Sequence, residues 1–193
     1  MGLLDIIRGQ RAPKRADLDR MFAISTSYPT LTVNLELVPT QTAGVCFKPV
    51  EAASFGELLR DMDQLLQLAG ATSGVQVERV EDELGFTWIV LRDPDFEDLV
   101  TTAHLVNGTI EERGFSEQLL CSVFGFRDGK GEPVDLVYAY KRGTFYPFVQ
   151  RGEHERDNAL EMRLHAALSR EMPMEPELER WYAVWGAPVG GPS

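Results

Sequence analysis

The sequence contains few cysteines and no long hydrophobic run. Its two cysteines, Cys46 and Cys121, are too few for the disulfide framework of a small secreted domain. Both lie in apolar segments, so we expect small buried hydrophobic residues in strands rather than a redox pair. No segment approaches the roughly 18 consecutive apolar residues of a membrane-spanning helix. The basic residues near the start are not followed by the apolar stretch of a secretory signal, so we expect a cytoplasmic protein.

Catalytic and metal-binding motifs are also missing. The three histidines, His104, His154 and His165, show neither HxH nor HExxH spacing, whereas a zinc site needs three or four converging ligands. The glycines at 129 and 131 lack the flanking residues of a phosphate-binding loop, and no serine lies in a GxSxG elbow. We therefore expect no enzymatic activity, no cofactor and no metal. A small metal-dependent hydrolase would require the three histidines to converge with carboxylates in a cleft.

Basic residues are outnumbered in most of the chain. The sequence has 19 Lys and Arg against 30 Asp and Glu, and its formal net charge is −11. A nucleic-acid-binding protein needs a basic face, so this balance argues against a nucleic-acid partner. Residues 51–120 carry fifteen acidic residues against four arginines, whereas residues 1–20 carry five basic residues against three aspartates. The middle of the chain is therefore acidic and its N-terminal segment is mildly basic.

Length and composition favour a single domain between two tails. With 193 residues, the chain can bury a substantial core without disulfides or metals. We interpret residues 1–16 as an amphipathic, basic tail, residues 17–185 as one α+β domain and the Gly-Pro-rich residues 186–193 as a flexible tail. Met1–Arg8 is typical of a helix that docks on a partner or lies on an anionic membrane surface. A segment this short is marginal as an isolated helix, so a frayed tail is the alternative.

Hydrophobic periodicity predicts a mainly antiparallel sheet built from hairpins, with three main helices packed on it. The predicted elements are a short helix over 17–23, strands over 31–38 and 44–50, a helix from a Ser54–Glu57 capping box to Gly70, strands over 75–80 and 86–92, a helix opened by Asp93-Pro94-Asp95 and ended by Gly114, a strand over 118–126, a hairpin over 134–149, a helix over 156–170 and a short helical segment within 175–185. The order β-β-α, β-β-α, β-β-β-α indicates the α+β class. From residue 54 onward, this order loosely resembles the secretion-chaperone-like fold.

The segment 134–149 is the most distinctive stretch of the chain. Aromatic and β-branched residues form two short runs that meet near Gly143, which predicts a hairpin with glycine at the turn. We expect Tyr138, Tyr140 and Phe148 to lie in the core.

Two sets of residues are candidates for partner binding. The first is the apolar side of the N-terminal segment, for which weak peripheral membrane contact is also expected, and it comprises Leu3, Leu4, Ile6 and Ile7. The second lies near the turn of the hairpin and comprises Lys141, Arg142 and Tyr146. Arginine and tyrosine are favoured at the centres of protein interfaces, so we expect the second set to form an exposed patch.

The same hairpin carries a resemblance to a known family. Its string LVYAYKRGTFYPF, at 136–148, resembles a string of the phage-shock-protein-A-associated protein B (PspAB) family of actinobacteria and their relatives. Seven further strings agree in order, namely MGLLD, GVCFKP, GFTW, RDPDF, QLLCS, RDNAL and WGAP. Together they span nearly the whole chain.

The resemblance implies an accessory protein that acts alongside phage shock protein A (PspA), a coiled-coil effector of the envelope stress response. It implies no catalytic residue and no cofactor. We therefore predict a non-enzymatic adaptor that works by protein–protein interaction, at the inner face of the membrane. A chaperone-like module that holds an extended segment in an apolar groove is the alternative.

Overall fold

The computed structural model of the chain describes residues 18–189, except for the side chains of residues 69 and 71–73. Its centre is a six-stranded sheet with the order β2-β3-β1-β4-β5-β6, in which all neighbouring strands are antiparallel. The strands are β1 (Val38–Phe47), β2 (Gln76–Glu81), β3 (Thr87–Arg92), β4 (Leu119–Arg127), β5 (Pro133–Ala139) and β6 (Thr144–Phe148). The predicted α+β class with an antiparallel sheet is confirmed.

Helical segments precede β1, connect β1 to β2 and β3 to β4, and follow β6. The α-helices of the described range are α1 (Ala23–Thr26), α2 (Ala53–Ser73), α3 (Phe96–Glu112) and α4 (Asn158–Leu168), and there are short 3-10 turns at Leu18–Phe22, Ser116–Gln118 and Leu178–Arg180. Within residues 18–189, none of the helices has the length and apolar character needed to cross a lipid bilayer.

Alternate residues of the strands point into two separate hydrophobic cores. On one face of the sheet, which we call the helix face, Val45 and Phe124 pack in the core that the long helices cover. On the other, which we call the strap face, Cys46 and Val123 pack in the core that residues 181–189 cover. Residues 181–189 form neither a helix nor a strand, and we call them the C-terminal strap.

The C-terminal strap runs from the edge strand β6 toward the middle of the sheet. Trp185 meets Phe148 of β6 edge to face, with ring centroids 4.9 Å apart. Near the end of the strap, Val189 packs on β1, where a Cβ atom at Gly44 would lie only 2.7 Å from its Cγ2 atom. This close approach requires glycine. The prediction of a flexible tail from residue 186 does not hold for the buried Val189, and residues 190–193 lie outside the described range.

The alternating segment 31–38 is a helical turn rather than the predicted strand. Thr30–Asn34 forms a π-helix, and β1 begins only after it. Leu31 is buried on this turn whereas Val33 is 75 % exposed, so the alternating apolar residues do not share a face. The Thr32 hydroxyl donates to the backbone carbonyl of Tyr28, one turn earlier, at 2.9 Å, a bond that threonine makes on helical segments. The first predicted β-β-α unit therefore contains a single strand.

Helix α2 departs from its predicted bounds at both ends. Ser54 and Glu57 do not form a capping box, because the helix already begins at Ala53 and its N-cap residue makes no side-chain hydrogen bond. At the other end the helix continues past Gly70, and its length is 21 residues.

The helices near the C-terminus are shorter than predicted. The helix expected over 156–170 begins only after Asp157, whose carboxylate accepts a backbone N–H of the first turn at 2.9 Å. This cap satisfies one of the unpaired donors that every helix start presents. The helical segment expected within 175–185 is a single 3-10 turn.

The hairpin over 134–149 is confirmed. Strands β5 and β6 pair in register with Val137 opposite Tyr146. At the turn, Gly143 has φ 65°, in the left-handed region that favours glycine. The three aromatic residues predicted for the core are all buried, namely Tyr138, Tyr140 and Phe148.

Candidate functional site

An open cavity lies on the strap face, between the sheet and the start of the C-terminal strap. Its volume is about 640 Å³, and its lining is mainly apolar. Five strands contribute to the floor, through Cys46, Trp88, Cys121, Ala139 and Tyr146. The opposite wall consists of residues 182–185 of the strap. The cavity exists because the strap covers only part of this face of the sheet.

Two thiols lie opposite each other in the floor. Cys46 and Cys121 are partners in the antiparallel register of β1 and β4, and both are free and buried. The hydrogen bond with the Cys121 thiol, together with burial, raises the pKa of the Cys46 thiol, which is therefore protonated at neutral pH. A buried protonated thiol behaves as a small hydrophobic side chain. The prediction that both cysteines are buried in strands is confirmed.

Tyr146 lies in the floor of the cavity rather than in an exposed patch. The residue is 2 % exposed, and its ring stacks on Trp181 with centroids 6.3 Å apart. Its hydroxyl donates to the carbonyl of Tyr182 at 3.0 Å. Burial raises the pKa of this hydroxyl, so it stays neutral. The expectation that Tyr146 is exposed is wrong, because β6 turns its side chain toward the strap face.

The carboxylate of Asp82, which lines the cavity, is fully engaged by neighbouring donors. One of its oxygens accepts the backbone N–H groups of Leu84 and Phe86, each at 2.9 Å. The other oxygen accepts the indole N–H of Trp88 at 2.9 Å. These bonds close the loop between β2 and β3 and fix the tryptophan in the cavity floor.

Three cationic side chains line the mouth of the cavity, namely Lys141, Arg142 and Arg180. The two arginines reach opposite oxygens of the buried Glu175 carboxylate, at 3.9 and 3.8 Å. Glu175 also accepts a hydrogen bond from the Thr144 hydroxyl at 2.8 Å, which fixes its orientation. Lys141 is exposed and makes no ion pair with any residue of the described range. Arg180 also pairs with Glu177, so Lys141 is the cation at the mouth whose charge no described carboxylate balances, although the whole chain is acidic.

Arg156 fastens the C-terminal strap to the rest of the domain. Its Nε atom donates to Glu161 at 3.0 Å, and its Nη1 atom donates to the carbonyl of Trp181 at 2.8 Å. Its guanidinium also lies over the ring of Phe148, 5.0 Å from the centroid. Glu161 is buried and accepts the backbone N–H of Val149 at 2.8 Å. One arginine thus links α4, β6 and the strap.

Another buried carboxyl lies near the end of the strap. Asp135 of β5 borders a smaller cavity that Val189 also lines. It is 7 % exposed, and its Oδ1 atom has no hydrogen-bond partner in the part of the chain that the structure describes. Burial raises the pKa of Asp135 to about 8, so the carboxyl is mainly protonated at neutral pH.

The histidines occupy separate places. His104 packs on Phe22 of the first helical turns, whereas His154 and His165 contact two different tryptophans of the strap. Among residues 18–189, no three or more His, Cys, Asp and Glu side chains are grouped so that they could hold a metal ion. These histidines do not form the arrangement that the hydrolase alternative required.

A model of the family described as PspA associated protein B matches residues 1–189, nearly the whole chain. The chain belongs to this family. The resemblance carried by the hairpin string is therefore confirmed. No curated protein and no solved structure shows significant similarity to the chain. The likeness of this family member to the secretion-chaperone fold accordingly stays a prediction.

In this member of the PspA-associated protein B family, the candidate residues of the hairpin meet around one cavity. Lys141 and Arg142 lie at its mouth and Tyr146 in its floor. The candidates of the N-terminal segment lie outside the described residues, namely Leu3, Leu4, Ile6 and Ile7.

Sequence reasoning missed the part of the site that the strap contributes. The string Arg-Trp-Tyr-Ala-Val-Trp at 180–185 holds three large aromatic residues just before a stretch rich in glycine and proline. Tryptophan side chains are rarely left in solvent, so the two in this string were the available signal. It would have predicted a docked segment, although not the place where it docks.

Proposed function

We propose that this protein is a non-enzymatic adaptor that acts with PspA by direct protein contact, in the envelope stress response. The family match over residues 1–189 carries the proposal, since it links the chain to PspA as an accessory protein. The cavity lining supports a binding role rather than a catalytic one, because the Cys46 thiol is protonated and the Asp82 carboxylate is engaged by three donors.

We assign the contact with PspA to the surface around the cavity mouth. Leu84 and Tyr182 are 77 % and 68 % exposed there, and both line the cavity beside Lys141 and Arg142. Exposed apolar side chains next to cations are typical of protein interfaces. Tyrosine and arginine contribute most of the binding energy at many such interfaces.

Reversing both charges at the hairpin turn should weaken PspA binding. For the double variant Lys141→Glu, Arg142→Glu we expect the dissociation constant for PspA to rise by about tenfold or more, because two favourable charges become unfavourable. The measurement is a calorimetric titration of purified PspA into each variant.

The matched control for this titration is Lys130→Glu. Lys130 is exposed in the turn between β4 and β5, at the opposite end of β5 from the cavity mouth. We expect its charge reversal to leave the dissociation constant within about twofold of wild type. Equal affinities for all three proteins would place the contact elsewhere, and a wild-type chain that binds neither PspA nor its operon partners would exclude the adaptor role.

We also propose that the N-terminal segment makes weak peripheral contact with the inner face of the membrane. Its four large aliphatic residues lie next to basic residues in sequence, a composition that suits an anionic lipid surface. We expect weak binding of the full chain to vesicles that contain phosphatidylglycerol, and its loss when residues 1–8 are deleted. Cosedimentation measures both, and equal binding by the truncated chain would refute this contact.

The cavity also bears on the chaperone-like alternative. That function needs an apolar groove, and the strap face provides an apolar cavity of about 640 Å³. However, the floor strands β1, β4 and β5 are each paired on both sides within the sheet. An extended segment bound on this floor would find no free main-chain partners among them, so the adaptor role is the better-supported function.

A further inference from the structure

We propose that the cavity is a binding site for an amphipathic anion, a molecule with one acyl chain and a negatively charged head group. This inference goes beyond the adaptor role, because it concerns a ligand that the chain would bind without any protein partner. It rests on the contrast between the interior of the cavity and its mouth.

The interior offers apolar contact and almost no free hydrogen-bonding groups. The two oxygens of Asp82 accept three N–H donors, and the Tyr146 hydroxyl donates to a carbonyl of the strap. The thiols of Cys46 and Cys121 face each other across β1 and β4. A ligand with buried polar groups would leave those groups unpaired, which is costly. The buried part of the ligand should therefore be hydrocarbon.

The size of the cavity fits a small molecule with a flexible chain. Its volume of about 640 Å³ lies within the range of about 300–1,000 Å³ that is usual for small-molecule sites. The floor is irregular, since the indole of Trp88 is followed across the sheet by the small side chains of Cys46, Cys121 and Ala139 on the next three strands. An acyl chain can adapt to such a surface because it has many rotatable bonds and needs no directional contact.

The cationic side chains at the mouth of the cavity favour a ligand with a negatively charged head group. Lys141, Arg142 and Arg180 line the mouth, and the first of these makes no ion pair with any described residue. The two arginines share one carboxylate, Glu175, at 3.8 Å or more, and Arg180 also pairs with Glu177. Lys141 is thus available to an incoming carboxylate or phosphate, which it would meet where the chain leaves the apolar interior.

Dodecanoate is the probe for this site. Two tryptophans, Trp88 and Trp185, line the cavity, so binding should change the intrinsic fluorescence of the protein at probe concentrations below micelle formation. Each methylene group adds about fourfold in affinity, so decanoate, which is two methylene groups shorter, should bind about fifteenfold more weakly than dodecanoate. Dodecyltrimethylammonium has the same chain and the opposite charge, and we expect it to bind at least about tenfold more weakly than dodecanoate.

Two variants locate the binding. Ala139→Trp places an indole in the cavity and should abolish the dodecanoate signal, while a thermal unfolding curve shows whether the variant is folded. Lys141 is exposed, so Lys141→Glu should leave the fold intact. The substitution should weaken dodecanoate binding by about tenfold. Lys130→Glu is the matched control and should bind dodecanoate like wild type.

The outcomes separate the possible occupants. Tighter binding of lysophosphatidylglycerol than of dodecanoate would identify a lipid as the ligand. Tighter binding of dodecanoate would identify a free fatty acid. Either result supports the proposed site. Equal affinity for the anionic and the cationic amphiphile would overturn it. The proposal would also be overturned if dodecanoate does not bind and a synthetic helical peptide with a leucine face and glutamate flanks binds saturably. PspA is absent from these titrations, so their failure would leave the adaptor proposal standing.

Discussion

Replacing Arg156 with methionine should destabilise the domain by about 3–5 kcal/mol, the usual cost of leaving one member of a buried ion pair without its partner. The variant removes the hydrogen bonds to Glu161 and to the Trp181 carbonyl. It also removes the cation over the Phe148 ring. Methionine fills a similar volume, so the loss comes mainly from the uncompensated carboxylate of Glu161 and the released strap. Urea unfolding at pH 7 measures the change in the free energy of unfolding.

A second substitution separates these two causes. Glu161→Gln keeps the side-chain oxygen that accepts the Val149 N–H but removes the charge. Added to Arg156→Met, it should therefore restore about 1–3 kcal/mol of the lost stability. If Glu161→Gln restores no stability to the Arg156→Met variant, the lost stability comes mainly from the released strap and not from the buried charge of Glu161.

Arg151→Met is the control for the role of burial. Arg151 is more exposed and faces Asp128, Glu132 and Asp157 at 3.4, 3.7 and 3.6 Å. The side chains of these three acids are 16 %, 54 % and 32 % exposed, against 2 % for Glu161, and ion pairs with solvent-accessible carboxylates are worth about 1 kcal/mol or less. If Arg151→Met and Arg156→Met lower the free energy of unfolding equally, Arg156 does not anchor the C-terminal strap as its contacts indicate.

Sequence patterns correctly predicted the hairpins, in which the paired strands are neighbours in the chain. Strands β2 and β3 and the β5–β6 hairpin followed from aromatic and β-branched runs that meet at turn residues, and the structure pairs them as expected. The same reasoning failed at 31–38, because alternation does not distinguish a strand from a tight helical turn when only some of the alternating residues are buried. Val33 is the residue that shows the error, since it is 75 % exposed.

The cavity was out of reach of such patterns because its parts are distant in sequence. Asp82, Cys121 and Arg180 contribute to one lining, yet about 40 to 60 residues separate each from the next. The hairpin residues of the site carried a local signal and were predicted, whereas the aromatic string at 180–185 indicated a docked segment but not where it docks. Tyr146 was placed in the right region with the wrong exposure, since proximity to a turn does not say which face of the sheet a side chain occupies.

Asp135→Asn should make the stability of the protein less dependent on pH. In the folded chain the pKa of Asp135 is raised to about 8 by burial, from an ordinary value of 3.8. Between these values the unfolded chain loses the proton while the folded chain keeps it, so the carboxyl costs stability as the pH rises. The cost grows by about 1.4 kcal/mol for each pH unit and levels off above the folded pKa. Asparagine does not ionise, so this part of the slope should vanish.

Urea unfolding at pH 5, 6 and 7 tests this, with Asp128→Asn as the control. Partial burial acts to raise the pKa of Asp128, but backbone N–H groups of Glu132 and Lys130 donate to its carboxylate and Arg151 lies close, so the net effect is a lowered pKa. Its stabilising contribution is present above the unfolded pKa and is lost as the pH falls through the folded pKa, below the tested range. Asp128→Asn should therefore lower the free energy of unfolding by the same amount at all three pH values. In contrast, the free energy of unfolding of Asp135→Asn relative to wild type should increase from pH 5 to 6 and from pH 6 to 7. Parallel curves for Asp135→Asn and wild type would mean that the buried carboxyl is already ionised, with a counter-charge near the end of the strap.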